Sequence, residues 1–256
     1  MWPTAAEELE RVQAELAARR PTPWRPAGPR PAIAGCFACF ARGQAGRGRA
    51  GEPGWAGAAL VLGDRRVVAT VAVTGIAGAP YEPGLLALRE GPLLEAALRA
   101  LPRRPDVVIA NATGRDHPRG AGLALHLGAE LDLPSVGVTD RPLLATGAES
   151  LFIEDTEVAR RARTRPGARA LVVHPGWRTE LDTAVALVLA ACRGRRTPEA
   201  LRRARRPADD RDRSVGADRG GGPAGLAPRA GAADAAAEAD EAAGDERRLA
   251  RPPRRG

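Results

Sequence analysis

The chain has no lysine at all, one asparagine, one tyrosine, one methionine and three cysteines among its 256 residues. The cysteines are Cys36, Cys39 and Cys192. Cys36 and Cys39 form a C-x-x-C, but within the apolar run 33–40, which reads as a strand. Residues three apart on a strand point to opposite faces, and no second cysteine pair completes a metal site. A redox pair or a zinc half-site is therefore excluded, and core filling is the reading for all three. No apolar run is long enough to span a bilayer. The start, Met1-Trp2-Pro3-Thr4, soon becomes acidic, unlike a secretory signal. The expectation is a cytoplasmic protein with no membrane association.

What replaces the absent lysine is arginine, which supplies all 39 basic residues against 31 acidic ones. With Ala, Gly and Pro also abundant, this composition matches a GC-rich coding bias, so the arginine count is partly mutational. The formal net charge of +8 still attracts phosphate backbones through counterion release. A solvated basic surface without a partner is the plain alternative.

The length suffices for one sizeable core and a tail. Residues 6–19 suit an amphipathic helix with Leu9, Val12 and Leu16 on one face. Strand-like runs follow at 33–40, 56–62 and 66–76, the last two joined by the hairpin signal Gly63-Asp64, and the Gly- and Arg-rich stretch 41–53 reads as a loose loop. Then strands alternate with helices: a helix from Pro92 to Leu101, a strand at 106–110, a helix at 121–131 and a strand at 135–139. Two weak edge strands are expected within 140–167, a strand at 168–173, a helix at 179–192 with Thr179 as N-cap, and a basic helix at 198–206. A meander followed by alternation implies an α/β fold with a mixed sheet covered by helices. The domain is expected over residues 1–206. Residues 207–256 contain almost no large apolar residue and cannot offset their ordering entropy, so a disordered C-terminal tail is expected there.

Two blocks carry chemistry. In the first, 80–92, Glu90 falls on a helical stripe with Leu86, Leu94, Ala97 and Leu101. A carboxylate buried there needs a cation, a metal or a hydrogen-bonding partner. A surface glutamate at a kink made by Gly91-Pro92 is the equal alternative. The second block, 111–120, follows the strand at 106–110 and holds Gly114, Asp116, His117 and Gly120. Polar residues at the C-terminal end of a strand are where sites collect in open α/β sheets.

Together, P-Y-E-P-G-L-L-A-L-R-E-G-P, P-D-V-V-I-A-N, G-R-D-H-P-R-G-A-G-L-A-L-H-L-G and L-P-S-V-G-V resemble the endonuclease V family. These repair nucleases cleave near deaminated purines such as inosine. The resemblance runs from about residue 6 to about 205. It implies an RNase H-like fold and a divalent metal, normally Mg²⁺, held by acidic residues. It makes Tyr81, the only tyrosine, the wedge inserted beside the lesion, stiffened by Pro80 and Pro83. By the same resemblance Glu90 is the metal-binding or catalytic glutamate, and His117, the histidine of the His-Pro-Arg loop, is a catalytic and substrate-binding residue. Gly84 belongs to the wedge turn, and Gly114, Gly120 and Gly122 form the small-residue surface that a flipped base approaches.

Four positions depart from the family pattern. Its first metal-ligand aspartate is Phe37 here, the second is Asn111, its lysine is Asp140 and a later histidine is Trp177. Phe37 offers no lone pair, and Asn111 offers one neutral oxygen, so ligation by either is doubtful. Asp140 brings an anion where a cation would meet phosphate. Asp182 is the substitute acid of choice, ahead of Asp116 and Glu180, although capping a helix or pairing with arginine explains each more simply.

Three functions follow as expectations. One is an impaired, pseudoenzyme form of endonuclease V that keeps nucleic-acid binding. Another is an active metal-dependent nuclease with rearranged ligands. The third is a non-enzymatic protein that binds nucleic acid through its arginines. The expected partner is inosine-containing DNA, with RNA as the alternative, and the expected state is a monomer.

Overall fold

The computed structural model describes residues 1–40, 47–63, 66–192 and 194–205. The tail expected at 207–256 and residues 41–46 of the loop expected at 41–53 lie outside the described residues, as do Asp64 and Arg65.

Eight strands form one sheet. They are β1 (Ile33–Phe40), β2 (Pro53–Val61), β3 (Val67–Ile76), β4 (Val107–Ala110), β5 (Ser135–Thr139), β6 (Ser150–Ile153), β7 (Thr156–Ala162) and β8 (Leu171–Pro175). Their order is β3-β2-β1-β4-β5-β8-β7-β6. β1, β4 and β5 are parallel, and the other pairings are antiparallel. The expected mixed sheet is therefore present. β7 lies inside it between β8 and β6, so only β6 of the two expected edge strands is an edge.

Helices cover both faces. α1 (Ala6–Ala18), α2 (Leu86–Arg99) and α3 (Leu123–Leu131) lie on one side, and α4 (Leu181–Cys192) lies on the other with α5, residues 199–205. Alternation along the parallel strands sorts side chains between the two cores. Ala34, Cys36, Val108 and Ala110 join α2 and α3 in the first core. Ile33, Val107, Ile109 and Val136 join α4 and α5 in the second. At Gly35 the backbone of Ala200 comes so near that an added Cβ would lie 2.3 Å from its carbonyl carbon. This contact seats α5 directly on β1.

Several local expectations need correction. α2 begins at Leu86, so Pro92 sits inside the helix rather than in its first turn. Proline has no N–H and releases the carbonyl four residues earlier, that of Leu88. Gly78 packs on that oxygen, where an added Cβ would lie only 2.1 Å away, and its N–H faces the Arg89 carbonyl at 3.4 Å. The freed carbonyl is thus docked against a neighbouring segment. Thr179 does not cap α4: its hydroxyl donates to the Trp177 carbonyl at 3.1 Å. Residues 47–52 are held rather than loose. Tyr81 N–H donates to the Arg47 carbonyl, Gly51 N–H to that of Ala77, and Ala77 N–H to that of Glu52.

Candidate active site

The C-terminal ends of β1, β4 and β5 converge. Cys36 is in register with Ala110, and Ala110 with Gly137, so Phe37 and Asn111 are the next positions on neighbouring parallel strands. Asn111 is exposed at this end, Thr139 closes β5 and Asp140 follows it.

Glu90 reaches this region from α2. It is half-buried, and desolvation raises its carboxyl from 4.5 to about 7, with the Arg89 cation acting in the opposite direction. Its charge also helps to raise the Cys36 thiol, after burial as the main cause. Cys36 is therefore the β1 residue that senses Glu90. Phe37 leaves β1 on the other face, where the Arg205 guanidinium lies 4.6 Å from its ring centre. Such a stack is worth about 0.5–1 kcal/mol at an exposed site.

A hard divalent cation such as Mg²⁺ selects oxygen donors, chiefly carboxylates. Of the three ligand positions that the resemblance implies, only Glu90 is a carboxylate; Phe37 is an aromatic ring under an arginine, and Asn111 is a neutral amide. Among the described residues, no three His, Cys, Asp or Glu side chains gather into a metal-holding group. The residues present do not fit the ion.

The other acids are engaged elsewhere. Asp116 is fully buried and accepts the N–H groups of Leu143, Leu144 and Ala145 at 2.7, 2.7 and 2.9 Å, so it anchors that loop rather than pairing with Arg115 or Arg119. Asp182 stands on the α4 face, accepting from Arg160 at 2.7 Å with its side chain 87% exposed. Glu180 pairs with Arg25 at 2.7 Å. Asp140 is held by Arg196 and, at 3.2 Å, by Arg169. At position 140, where the resemblance implies a lysine, two arginines gather around an anion. Trp177 lies at the opposite end of β5, its carbonyl accepting from Ser135 N–H, and it packs beside α3. That departure does not touch the Glu90 region.

The Tyr81 turn, by contrast, is strongly supported. The Gly84 carbonyl accepts from Arg119 Nη2 at 2.7 Å, from Gln13 Nε2 at 3.2 Å and from the His117 ring. His117 Nδ1 accepts the Arg119 N–H at 3.2 Å, which leaves the proton on Nε2 to face Gly84. Burial, and then the Arg119 charge, lower His117 to about 4, so its imidazole is neutral at pH 7. Arg119 is oriented in turn by Gln13 Oε1 at 2.6 Å. On the far side of the turn, Arg89 forms a buried ion pair with Glu52, donates to the Ala79 carbonyl at 2.9 Å and stacks over Phe40 at 3.9 Å. Among the glycines, Gly114 is buried against Pro175, Gly122 lies against Thr113, and Gly120 takes a φ of +66°.

Gln13, Glu52 and Arg89 went unread in the sequence, and Arg119 was read only as the arginine of the His-Pro-Arg loop and an alternative partner of Asp116. Gln13 had a usable signal: it shares a helical stripe with Leu9 and Leu16, as Glu90 does with its leucines. The Glu52–Arg89 pair had none, because its members lie 37 residues apart.

A model of the Endonuclease V family matches residues 42–206. The endonuclease V of Gloeobacter violaceus is 43% identical over 148 residues, a match spanning 54% of this chain and 60% of that protein. The crystal structure of endonuclease V from Streptomyces avermitilis superposes with a TM-score of 0.72 at 32% identity, covering 84% of this chain and 96% of that one. The Ciona intestinalis endonuclease V, crystallised with a 24mer DNA containing an inosine followed by a ribo-adenosine, shares the fold at a TM-score of 0.71 and 18% identity, with 82% of this chain and 98% of that one covered.

Proposed function

The chain belongs to the endonuclease V family, and from that membership we propose that it recognises inosine in nucleic acid while its hydrolytic step is impaired. DNA is the substrate class, by analogy with the oligonucleotide held by the Ciona protein, and RNA is the alternative. The observation that carries this reading is a contrast within one site. Three donors converge on the Gly84 carbonyl and hold the Tyr81 turn, whereas the metal-ligand positions are a phenylalanine stacked under Arg205 and an exposed asparagine.

In this reading Tyr81 is the wedge. Pro80 and Pro83 restrict its backbone, and the Arg47 carbonyl accepts its N–H at 2.6 Å. A preformed wedge costs less ordering entropy when the base is extruded. His117, neutral and committed to Gly84, serves as a positioning residue for the turn. Gly84, Gly114 and Gly122 are buried, which corrects their assignment to a base-facing surface, and of the four glycines only the half-buried Gly120 is kept as a proposed base-facing position. Glu90 is the surviving acid of the centre, and Asn111 supplies at most a neutral oxygen. With Glu90 as its one carboxylate the site would hold a divalent ion poorly, and such an ion would supply the charge compensation that phosphodiester hydrolysis requires. An active nuclease with rearranged ligands would need Asp182 to leave Arg160 and cross the sheet, or Asp116 to give up three N–H donors.

The test is a restoration series on inosine-containing and matched control duplexes, with Mg²⁺ or Mn²⁺ supplied. The natural protein is expected to prefer inosine in a binding assay and to leave the strand uncut. Phe37→Asp with Asn111→Asp and Asp140→Lys is expected to regain cleavage. Because the Arg205 guanidinium stacks on Phe37, Arg205→Gln belongs in the series to free the new carboxylate. Cleavage by the natural protein at the rate of an intact relative would overturn the impaired reading. Equal affinity for inosine and control duplexes would overturn the recognition reading.

A further inference from the structure

The two edges of the sheet are built differently. β6, at one edge, is four residues long and is flanked by Glu149, Glu154 and Asp155. Short, charge-flanked edges resist pairing with another chain. β3, at the other edge, runs for ten residues, V-V-A-T-V-A-V-T-G-I, without a charge or a proline. Its β-branched residues favour extended backbone. Its register with β2 is regular from Pro53↔Ile76 to Leu60↔Ala69, with the one irregularity beyond that point. Among the described residues, β2 alone pairs with it. Val68, Thr70, Thr74 and Ile76 are exposed along it, Ile76 by 64%.

We propose that β3 is a dimerisation edge, pairing antiparallel with β3 of a second copy about a two-fold axis through Ala72. The strand is its own complement, and this selects a second copy as the occupant. About that axis Val68 meets Ile76, Thr70 meets Thr74 and Ala72 meets Ala72 on the exposed face. On the other face Val71 meets Val73 and Ala69 meets Gly75. Every pair is apolar with apolar, threonine with threonine, or small with small, the combinations that stabilise antiparallel ladders. The contact is isologous and closed, so it ends at two copies and does not propagate into a fibre. The second edge is blocked by β6 and its acids, which also stops growth there. The two eight-stranded sheets become one continuous sheet. A single strand pairing is a small interface, so the dimer exchanges with monomer as concentration changes. This stands in place of the monomer expected from the sequence, and it is independent of the reading of the active site.

Sedimentation velocity of the full chain from low to high micromolar concentration tests the proposal. The mass is expected to move from one chain to two. Thr70→Lys with Thr74→Lys sets like charges opposite each other at the contact, and both positions are exposed, so the fold is left intact. That variant is expected to sediment as one chain throughout, with an unchanged circular dichroism spectrum and melting temperature. Ala72→Cys places two thiols across the axis and is expected to yield a disulfide-linked dimer under mild oxidation at many times the amount seen with the natural protein. A single-chain mass at every concentration, or a dimer indifferent to the two lysines, overturns the proposal.

Discussion

Glu90 carries the clearest residue-scale consequence. Its folded carboxyl titrates near 7 against an ordinary 4.5. Below pH 4.5 it is protonated whether the chain is folded or unfolded, and burial costs nothing extra. Between 4.5 and 7 the unfolded chain ionises first, so stability falls as pH rises, by at most about 3 kcal/mol. Above 7 the loss is complete. His117, His126 and His174, each lowered to about 4 chiefly by burial, act with the opposite sign, because the unfolded chain takes up their protons first as pH falls below 6.5. The readout is therefore the difference between the natural protein and Glu90→Gln in urea unfolding at pH 5 and pH 8. The variant is expected to gain stability relative to the natural protein at pH 8 and to show little difference at pH 5. Arg89 gives a second prediction. Its loss leaves the Glu52 carboxylate buried without its partner, so Arg89→Met is expected to cost about 3–5 kcal/mol in the same measurement. Replacing both, with Glu52→Leu beside Arg89→Met, is expected to recover most of that cost.

At the scale of elements, Pro92 inside α2 is what ties the helix to the turn proposed as a wedge. Pro92 frees the Leu88 carbonyl, and only a residue without a side chain can approach it as Gly78 does. Gly78 stands three residues before Tyr81, so the position of the turn is set by a defect in the helix that carries Glu90. Gly78→Ala is expected to destabilise the fold by about 1–3 kcal/mol through overpacking. It is also expected to weaken inosine binding while leaving affinity for an undamaged duplex little changed, as measured by fluorescence anisotropy. The periodicity of Leu86, Leu94 and Ala97 was legible beforehand, and so was the alternation that separates Cys36 from Cys39. The start of α2 was not, because a proline followed by an apolar period reads as a helix N-terminus whenever the preceding turn is hidden. Thr179 misled in the same way, since a hydroxyl before a helix can cap it or turn back to an earlier carbonyl.

At the scale of the whole molecule, the net charge of +8 predicts that affinity for any duplex falls steeply with salt. The preference for inosine is expected to persist as salt rises, and to persist in a chain ending at Arg206, because it is assigned to the Tyr81 turn and not to the arginine-rich residues 207–256. Competition binding at several salt concentrations measures both. No helix among the described residues is long and apolar enough to cross a membrane, in keeping with the absence of a long apolar run in the sequence. The sequence by itself determined the chemistry available: which positions hold a carboxylate, a ring or an amide, and so that a ring and an amide stand at Phe37 and Asn111, where the resemblance implies aspartates. It also determined most elements, because hydrophobic period is a local property. The tertiary structure alone decided what each group faces. It placed Arg205 over Phe37, two arginines around Asp140, and three donors on the Gly84 carbonyl. Among the described residues it also left β3 paired on one side only, at the edge of the sheet. Those contacts join residues far apart in the chain, and their energies depend on burial and direction, which no local pattern of residues encodes.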